Sequence, residues 1–267
     1  NAYANVRQPI VSTLNLAHLM PVSAVWAGQE RNAHLDGPPL IVTRTDGATP
    51  SRLVTHIGDV GNTLVVGPIG MGKSVLLATM AMQFRRYRGS RIFAFDMGRS
   101  IRAAILGMGG EHYDLGADDE IAFQPLARIV REGYRTWASE WVEGRLLHEG
   151  AAVGPDEKAA IWSALGSLAS APVEQRTLTG LTALLQSNTL RQALAPYVLG
   201  GAHGRLLDAD HDRLGTSDVQ AFEMEELMHS KAAVLAVLRY LFARFEERLD
   251  GAPTLLILDE AWLFLDD

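Results

Sequence analysis

The eight residues GPIGMGKS, at positions 67–74, constrain the fold more than any other stretch of the chain. They follow the apolar run NTLVV (62–66) and precede SVLLATMAMQF, whose apolar side chains at 75, 76, 77, 80, 82 and 84 recur at helical spacing. Glycines at 67, 70 and 72 permit positive φ and close approach, so successive backbone N–H groups can turn inward as an anion nest. A helix beginning near Lys73 sets its positive end beneath that nest. The string matches G-x-x-x-x-G-K-[ST], the phosphate-binding P-loop. Gly67, Pro68, Ile69, Gly70, Met71, Gly72, Lys73 and Ser74 are therefore the expected nucleotide-binding residues. Lys73 is expected to reach the β- and γ-phosphates, and the Ser74 hydroxyl to ligate Mg²⁺. RIFAFDMG follows the helix as a nearly all-apolar strand that breaks off at Asp96. Strand, loop, helix, strand is a βαβ unit, so the predicted class is α/β with a mostly parallel sheet covered on both faces.

The second half of this chemistry lies far downstream, in TLLILDE. A P-loop needs a carboxylate from a neighbouring strand end to manage its metal, and Asp259 ends an apolar run as that role demands. Glu260 beside it is placed to orient and deprotonate an attacking water. The expected catalytic residues are Lys73 and Glu260; the expected metal ligands are Ser74 and Asp259; the expected cofactors are ATP and Mg²⁺. A further cation would complete such a site, and Arg191, Arg205 and Arg213 are among several that qualify without one standing out. Asp96 should share the carboxyl edge of the sheet with the loop, either in the site or as a cap to the next turn. His56, His112 and His203 have no ligand-like spacing to a second histidine or carboxylate, so no transition metal is expected.

Composition removes other classes. The 267 residues carry a net charge of −7, which opposes nucleic-acid binding by counterion release outside a local basic patch. The best such patch, RRYRGSR, reads instead as the basic last turn of the helix after the loop, with Gly89 as its stop. The absence of cysteine excludes disulfides, thiolate metal sites and cysteine nucleophiles, and fits a cytoplasmic protein. No segment approaches 18 uninterrupted apolar residues, and NAYANVRQPI lacks the order of a signal peptide. The chain begins without methionine and stops two residues after AWLFL, which reads as an excerpt from a longer polypeptide.

Four segments are expected. Residues 1–37 form an irregular lead-in with one helical turn. Residues 38–125 form the P-loop half of the core, with a hairpin from LIVTRT and RLVTHIG around Asp46-Gly47 and a third strand, NTLVVG. Residues 126–204 form an inserted all-helical subdomain, in which Trp137 and Trp141 share a helix face and pack in a core. Residues 205–267 form the half with the acidic pair: a strand VQAFEME, a long amphipathic helix ending at Gly251, and a fully buried strand TLLILDE.

Together, PPLIVTRTDGATPSRLVTHIGDVGNTLVVGPIGMGKS, FAFDMGRS, IAFQPLA, FEMEELM and LLILDEAWLFLDD resemble the TrbE-type conjugal transfer ATPases, the large VirB-class ATPases of type IV secretion systems. The resemblance runs from about Val6 to Asp267. It implies a RecA-like ATPase core with a helical insertion at the cytoplasmic face of the bacterial inner membrane. Ring-forming self-association, often hexameric, is implied, as are type IV secretion components as partners; direct nucleic-acid contact stays open. The implied work is pilus assembly and substrate transfer. A DNA-pumping coupling ATPase, or a scaffold that binds ATP without hydrolysing it, are the alternatives. The family's N-terminal domain is not in these residues, and FQPL stands where Asn-Pro-Leu is commoner, so a polar role for Gln124 does not carry over. In RecA-like sheets a later strand separates the metal-binding strand from the P-loop strand, so a gap beside the latter is expected here.

Overall fold

The βαβ pattern after the glycine loop is realised in a computed structural model that describes residues 12–20, 26–117 and 121–260. The elements are α1 (Thr13–Leu19), β1 (Ile41–Arg44), β2 (Pro50–Leu53), α2 (Lys73–Phe84), β3 (Arg91–Asp96), α3 (Arg102–Gly107), β4 (Glu111–Asp114), α4 (Glu132–His148), α5 (Pro155–Leu168), α6 (Leu178–Leu184), α7 (Asn188–Leu194), α8 (Gly204–Leu207), β5 (Val219–Glu223), α9 (Lys231–Glu246) and β6 (Thr254–Leu258). They divide into two compact units, Asn1–Leu64 and Val65–Asp267.

In the first unit, α1 is a short exposed helix whose N-cap Ser12 and Asn15 form a reciprocal capping box. β1 and β2 pair antiparallel, Ile41 opposite Leu53 and Arg44 opposite Pro50, around the predicted Asp46-Gly47 bend. The backbone N–H of Thr45 closes that bend on Thr49 O at 2.9 Å. Gly28, at φ 79°, packs so closely on β2 that a Cβ there would stand 2.2 Å from Arg52 O.

The second unit is built on a four-stranded sheet of order β4-β5-β3-β6, parallel throughout. β3 and β5 lie inside it, and from Ile92 to Asp96 and Val219 to Glu223 every residue is buried. Their phenylalanines meet α9: Phe93 stacks on Phe245 with centroids 4.2 Å apart, and Phe95 and Phe222 lie within 5.9 Å of the same ring. Helices α4 to α8 all fall between β4 and β5 in sequence, and their apolar faces join the same core. Trp141 is 1 % exposed and donates its indole N–H to Ala236 O at 3.0 Å, while Trp137 packs half-buried beside it.

Several sequence expectations are corrected. NTLVVG is not a strand: no described strand pairs with it, and without a ladder Leu64 and Val66 stand 85 % and 83 % exposed. β6 is not fully buried, because it is an edge strand bonded only to β3 among the described residues; Leu256 at its centre is 43 % exposed. The RRYRGSR arginines fall beyond α2, whose last turn holds no basic residue; Arg85 instead donates to Ser90 O at 2.6 Å across the turn at Gly89. β4, EHYD, went unpredicted. Gln124 has a structural role, donating to Val173 O at 2.5 Å. The extremes of the family resemblance, including AWLFLDD, lie outside the described residues.

Candidate functional site

The site begins where the parallel ladder runs out. Leu258 is paired with Phe95, and one residue on, the Asp259 N–H donates to Phe95 O at 2.9 Å. Asp259 is thereby delivered to the carboxyl edge of the sheet, where open α/β sheets present their ligands. The first turn of α2 arrives at the same edge. There the Ser74 hydroxyl donates to Asp259 Oδ2 at 3.5 Å, the long limit of a hydrogen bond, across 185 residues of sequence. Both groups are hard oxygen donors of the kind Mg²⁺ takes. Octahedral coordination at ~2.05 Å sets adjacent ligand oxygens about 2.9 Å apart, so the two fit one ion after a shift of well under an ångström.

The loop that leads into Ser74 has the backbone that its glycines permit. Gly70 and Gly72 sit at φ 82° and 85°. A Cβ at either would meet no atom within 4 Å, so the left-handed dihedral, not crowding, requires glycine. Gly72 is the N-cap of α2 and offers no side-chain acceptor, which leaves the helix's first amides for a ligand. Lys73 folds back over the loop, its ammonium donating to Gly67 O at 3.0 Å and Pro68 O at 3.3 Å. Ile69 and Met71 point outward, 98 % and 74 % exposed.

Glu260 follows Asp259 in a left-handed conformation, φ 53°, that side-chain-bearing residues seldom adopt. Its N–H donates to Asp259 Oδ1 at 3.2 Å. The candidate arginines are engaged locally: Arg191 with Asn188 at 2.6 Å, Arg205 with Gly116 O at 3.2 Å, and Arg213 with His211 at 3.2 Å.

Sequence spacing missed one cluster entirely. Asp96, His112 and Glu223, at the ends of β3, in β4 and at the end of β5, bring ligand-type atoms within 4.8 Å of one another. His112 has no ligand-like spacing to a carboxylate along the chain, but positions far apart in sequence become adjacent once the strands lie parallel. Burial raises the Asp96 pKa above its ordinary value, with hydrogen bonds from Ser100 and Ile101 opposing. Burial lowers that of His112, assisted by the charge of Arg102. His112 Nε2 is buried without a hydrogen-bond partner.

No family model matches the chain. Over 99 % of its length it is 41 % identical to a probable conjugal transfer protein TrbE of Sinorhizobium fredii and 42 % identical to the conjugal transfer protein TrbE of Rhizobium radiobacter. The similarity to these two TrbE proteins extends over 99 % of the chain. It spans 41 % and 33 % of those two relatives. The chain is also 27 % identical over 98 % of its length to the type IV secretion system protein VirB4 of Bartonella quintana, 34 % of which it covers. In three dimensions it is similar to the solved VirB4 of Thermoanaerobacter pseudethanolicus, with a TM-score of 0.64 and 18 % identity over 85 % of this chain and 69 % of the other. The chain and that VirB4 therefore share a mixed α/β fold. No helix among the described residues is long and apolar enough to cross a membrane.

Proposed function

We propose that this chain is the nucleotide-binding part of an ATPase motor that energises conjugal transfer by a type IV secretion apparatus. The carrying observation is the meeting of the Ser74 hydroxyl and the Asp259 carboxylate at 3.5 Å, at the start of a helix capped by a left-handed glycine. In finer terms the proposal is a RecA-like core with α4 to α8 as its helical insertion, acting as a ring, a hexamer, with other secretion components at the cytoplasmic face of the inner membrane. The TrbE and VirB4 names of its relatives support that setting.

In this reading residues 67–74 wrap a triphosphate with backbone N–H groups, and Lys73 leaves the Gly67 and Pro68 carbonyls to neutralise its outer phosphates. Ser74 and Asp259 hold Mg²⁺, which when bound screens the phosphate charge and polarises the terminal group. Glu260 accepts the proton of the attacking water. Asp259 positions Glu260 through the hydrogen bond to its backbone N–H.

The test uses the full-length protein. Lys73→Ala is expected to lose ATP binding, measured with a fluorescent analogue. Glu260→Gln is expected to bind ATP as the wild type does and to turn it over at least ~100-fold more slowly. Equal turnover in all three proteins overturns the assignment.

A further inference from the structure

Asp96 is an acidic group of this edge to which the P-loop pattern assigns nothing. The pairing of Phe95 with Leu258, continued by the Asp259 N–H to Phe95 O bond, puts Asp96 level with Asp259 on the next strand. In-register neighbours of a parallel sheet project to the same face. Accordingly Asp96 and Ser100 line the same small pocket as Ser74 and Asp259, against the apolar wall of Leu77 and Ile257.

Asp96 is 1 % exposed, and its carboxylate is fixed by three donors from the turn that follows β3. Oδ1 accepts from the Met97 N–H at 3.0 Å and the Ser100 hydroxyl at 2.6 Å; Oδ2 accepts from the Ile101 N–H at 2.9 Å. Among the described residues no lysine or arginine pairs with it. Glu223 clamps the same turn from β5, accepting from the N–H groups of Gly98, at 3.1 Å, and Arg99, but does not line the pocket. A buried carboxylate with no cationic partner, beside a second carboxylate, is costly unless a cation shares the pocket.

We propose that Asp96 is a positioning residue for the divalent cation of the nucleotide site: its carboxylate, held rigid by the 97–101 turn, orients the ion's water shell beside Asp259 and sets the Mg²⁺ concentration at which the loop retains a triphosphate. This rests on the nucleotide reading of residues 67–74. Ser100, which donates its hydroxyl to Asp96, lines the same pocket and extends its polar wall.

The experiment titrates Mg²⁺ against binding of a fluorescent ATP analogue to the full-length protein, with binding in EDTA as the metal-free reference. Asp96→Asn is expected to raise the Mg²⁺ midpoint about 10-fold, as loss of an outer-sphere partner does, and to leave binding in EDTA unchanged. Glu223→Gln loosens the same turn but leaves the Asp96 carboxylate in the pocket, and is expected to raise the midpoint by less than Asp96→Asn does. An unchanged midpoint in Asp96→Asn, or equal shifts in both variants, reduces Asp96 to a turn clamp and overturns the proposal. Where Asp96→Asn does not fold, Ser100→Ala decides: it frees the carboxylate from its strongest tether, and a raised midpoint supports the proposal while an unchanged one overturns it. Asp259→Asn separates the two levels of argument. If the wild type binds no analogue, the nucleotide reading fails; if Asp259→Asn too leaves the midpoint unchanged, the metal site itself falls; if it shifts the midpoint while Asp96→Asn does not, only the role of Asp96 falls.

Discussion

Glu260, to which the proposed function gives the water-activating role, holds a backbone conformation that side-chain-bearing residues resist. Its φ of 53° costs a side-chain-bearing residue about 1–2 kcal/mol. Glycine relieves that strain but adds about 0.5–1 kcal/mol of unfolded-chain entropy. Glu260→Gly is therefore expected to stabilise the fold by up to ~1 kcal/mol in urea denaturation while abolishing turnover, the signature of strain held at a working position. A loss of stability instead means that the side chain contributes more than its dihedral costs. Gly72 gives the opposite sign: with open space around its Cβ position, Gly72→Ala meets only the dihedral penalty at φ 85°, about 1 kcal/mol. Its effect on ATP binding is expected to be larger, because in the proposed function the loop's left-handed backbone is what turns its N–H groups toward the phosphates. At this scale the loop was legible, since glycine spacing is a backbone requirement written directly in residue types. The strain at Glu260 and the partners of His112 were not, because neither a dihedral nor a spatial neighbour has a local sequence signature.

Among the elements, β3 and β5 were readable because strands buried on both faces are continuous apolar runs. β4 was not, because EHYD is polar: Glu111 accepts from the Tyr113 hydroxyl at 2.6 Å and from Gln220 of β5 at 3.0 Å, so cross-strand hydrogen bonding replaces apolar burial. NTLVVG failed the other way; it has strand composition, but composition does not supply a partner. The histidines carried by these elements predict a pH response. Burial lowers the folded-state pKa of His112 in β4 and of His203 before α8 from the ordinary value of 6.5. Below 6.5 the unfolded chain takes up protons that the folded chain excludes, so stability is full above that pH and falls as pH drops through the lowered values. Asp96 acts oppositely: its folded pKa is raised above 3.8, so its contribution is present at acid pH and is lost as pH rises through the raised value. The urea midpoint is expected to fall between about pH 7 and pH 5, and the double substitution His112→Gln, His203→Gln to flatten the fall. A slope unchanged in the double variant assigns the response to other groups.

Over the whole molecule, two forces act on association in opposite directions. Among the described residues β6 has no strand partner on its outer edge, and with Leu256 exposed at mid-strand that edge is a template for pairing with another chain. The net charge of −7 keeps copies apart, with a reach set by a Debye length of about 10 Å at 0.1 M salt. Strand pairing operates at contact and is little screened, whereas the repulsion that opposes it is. Light scattering of the 267-residue chain should therefore rise with salt. A charged side chain at Leu256 is expected to suppress the rise whichever its sign, because a desolvated charge is costly in a new intermolecular sheet. Leu256→Lys makes the net charge less negative and Leu256→Glu makes it more so. If repulsion alone governed association, the lysine variant would scatter more than wild type; suppression by both assigns the contact to the β6 edge, and scattering by both at the wild-type level places it elsewhere.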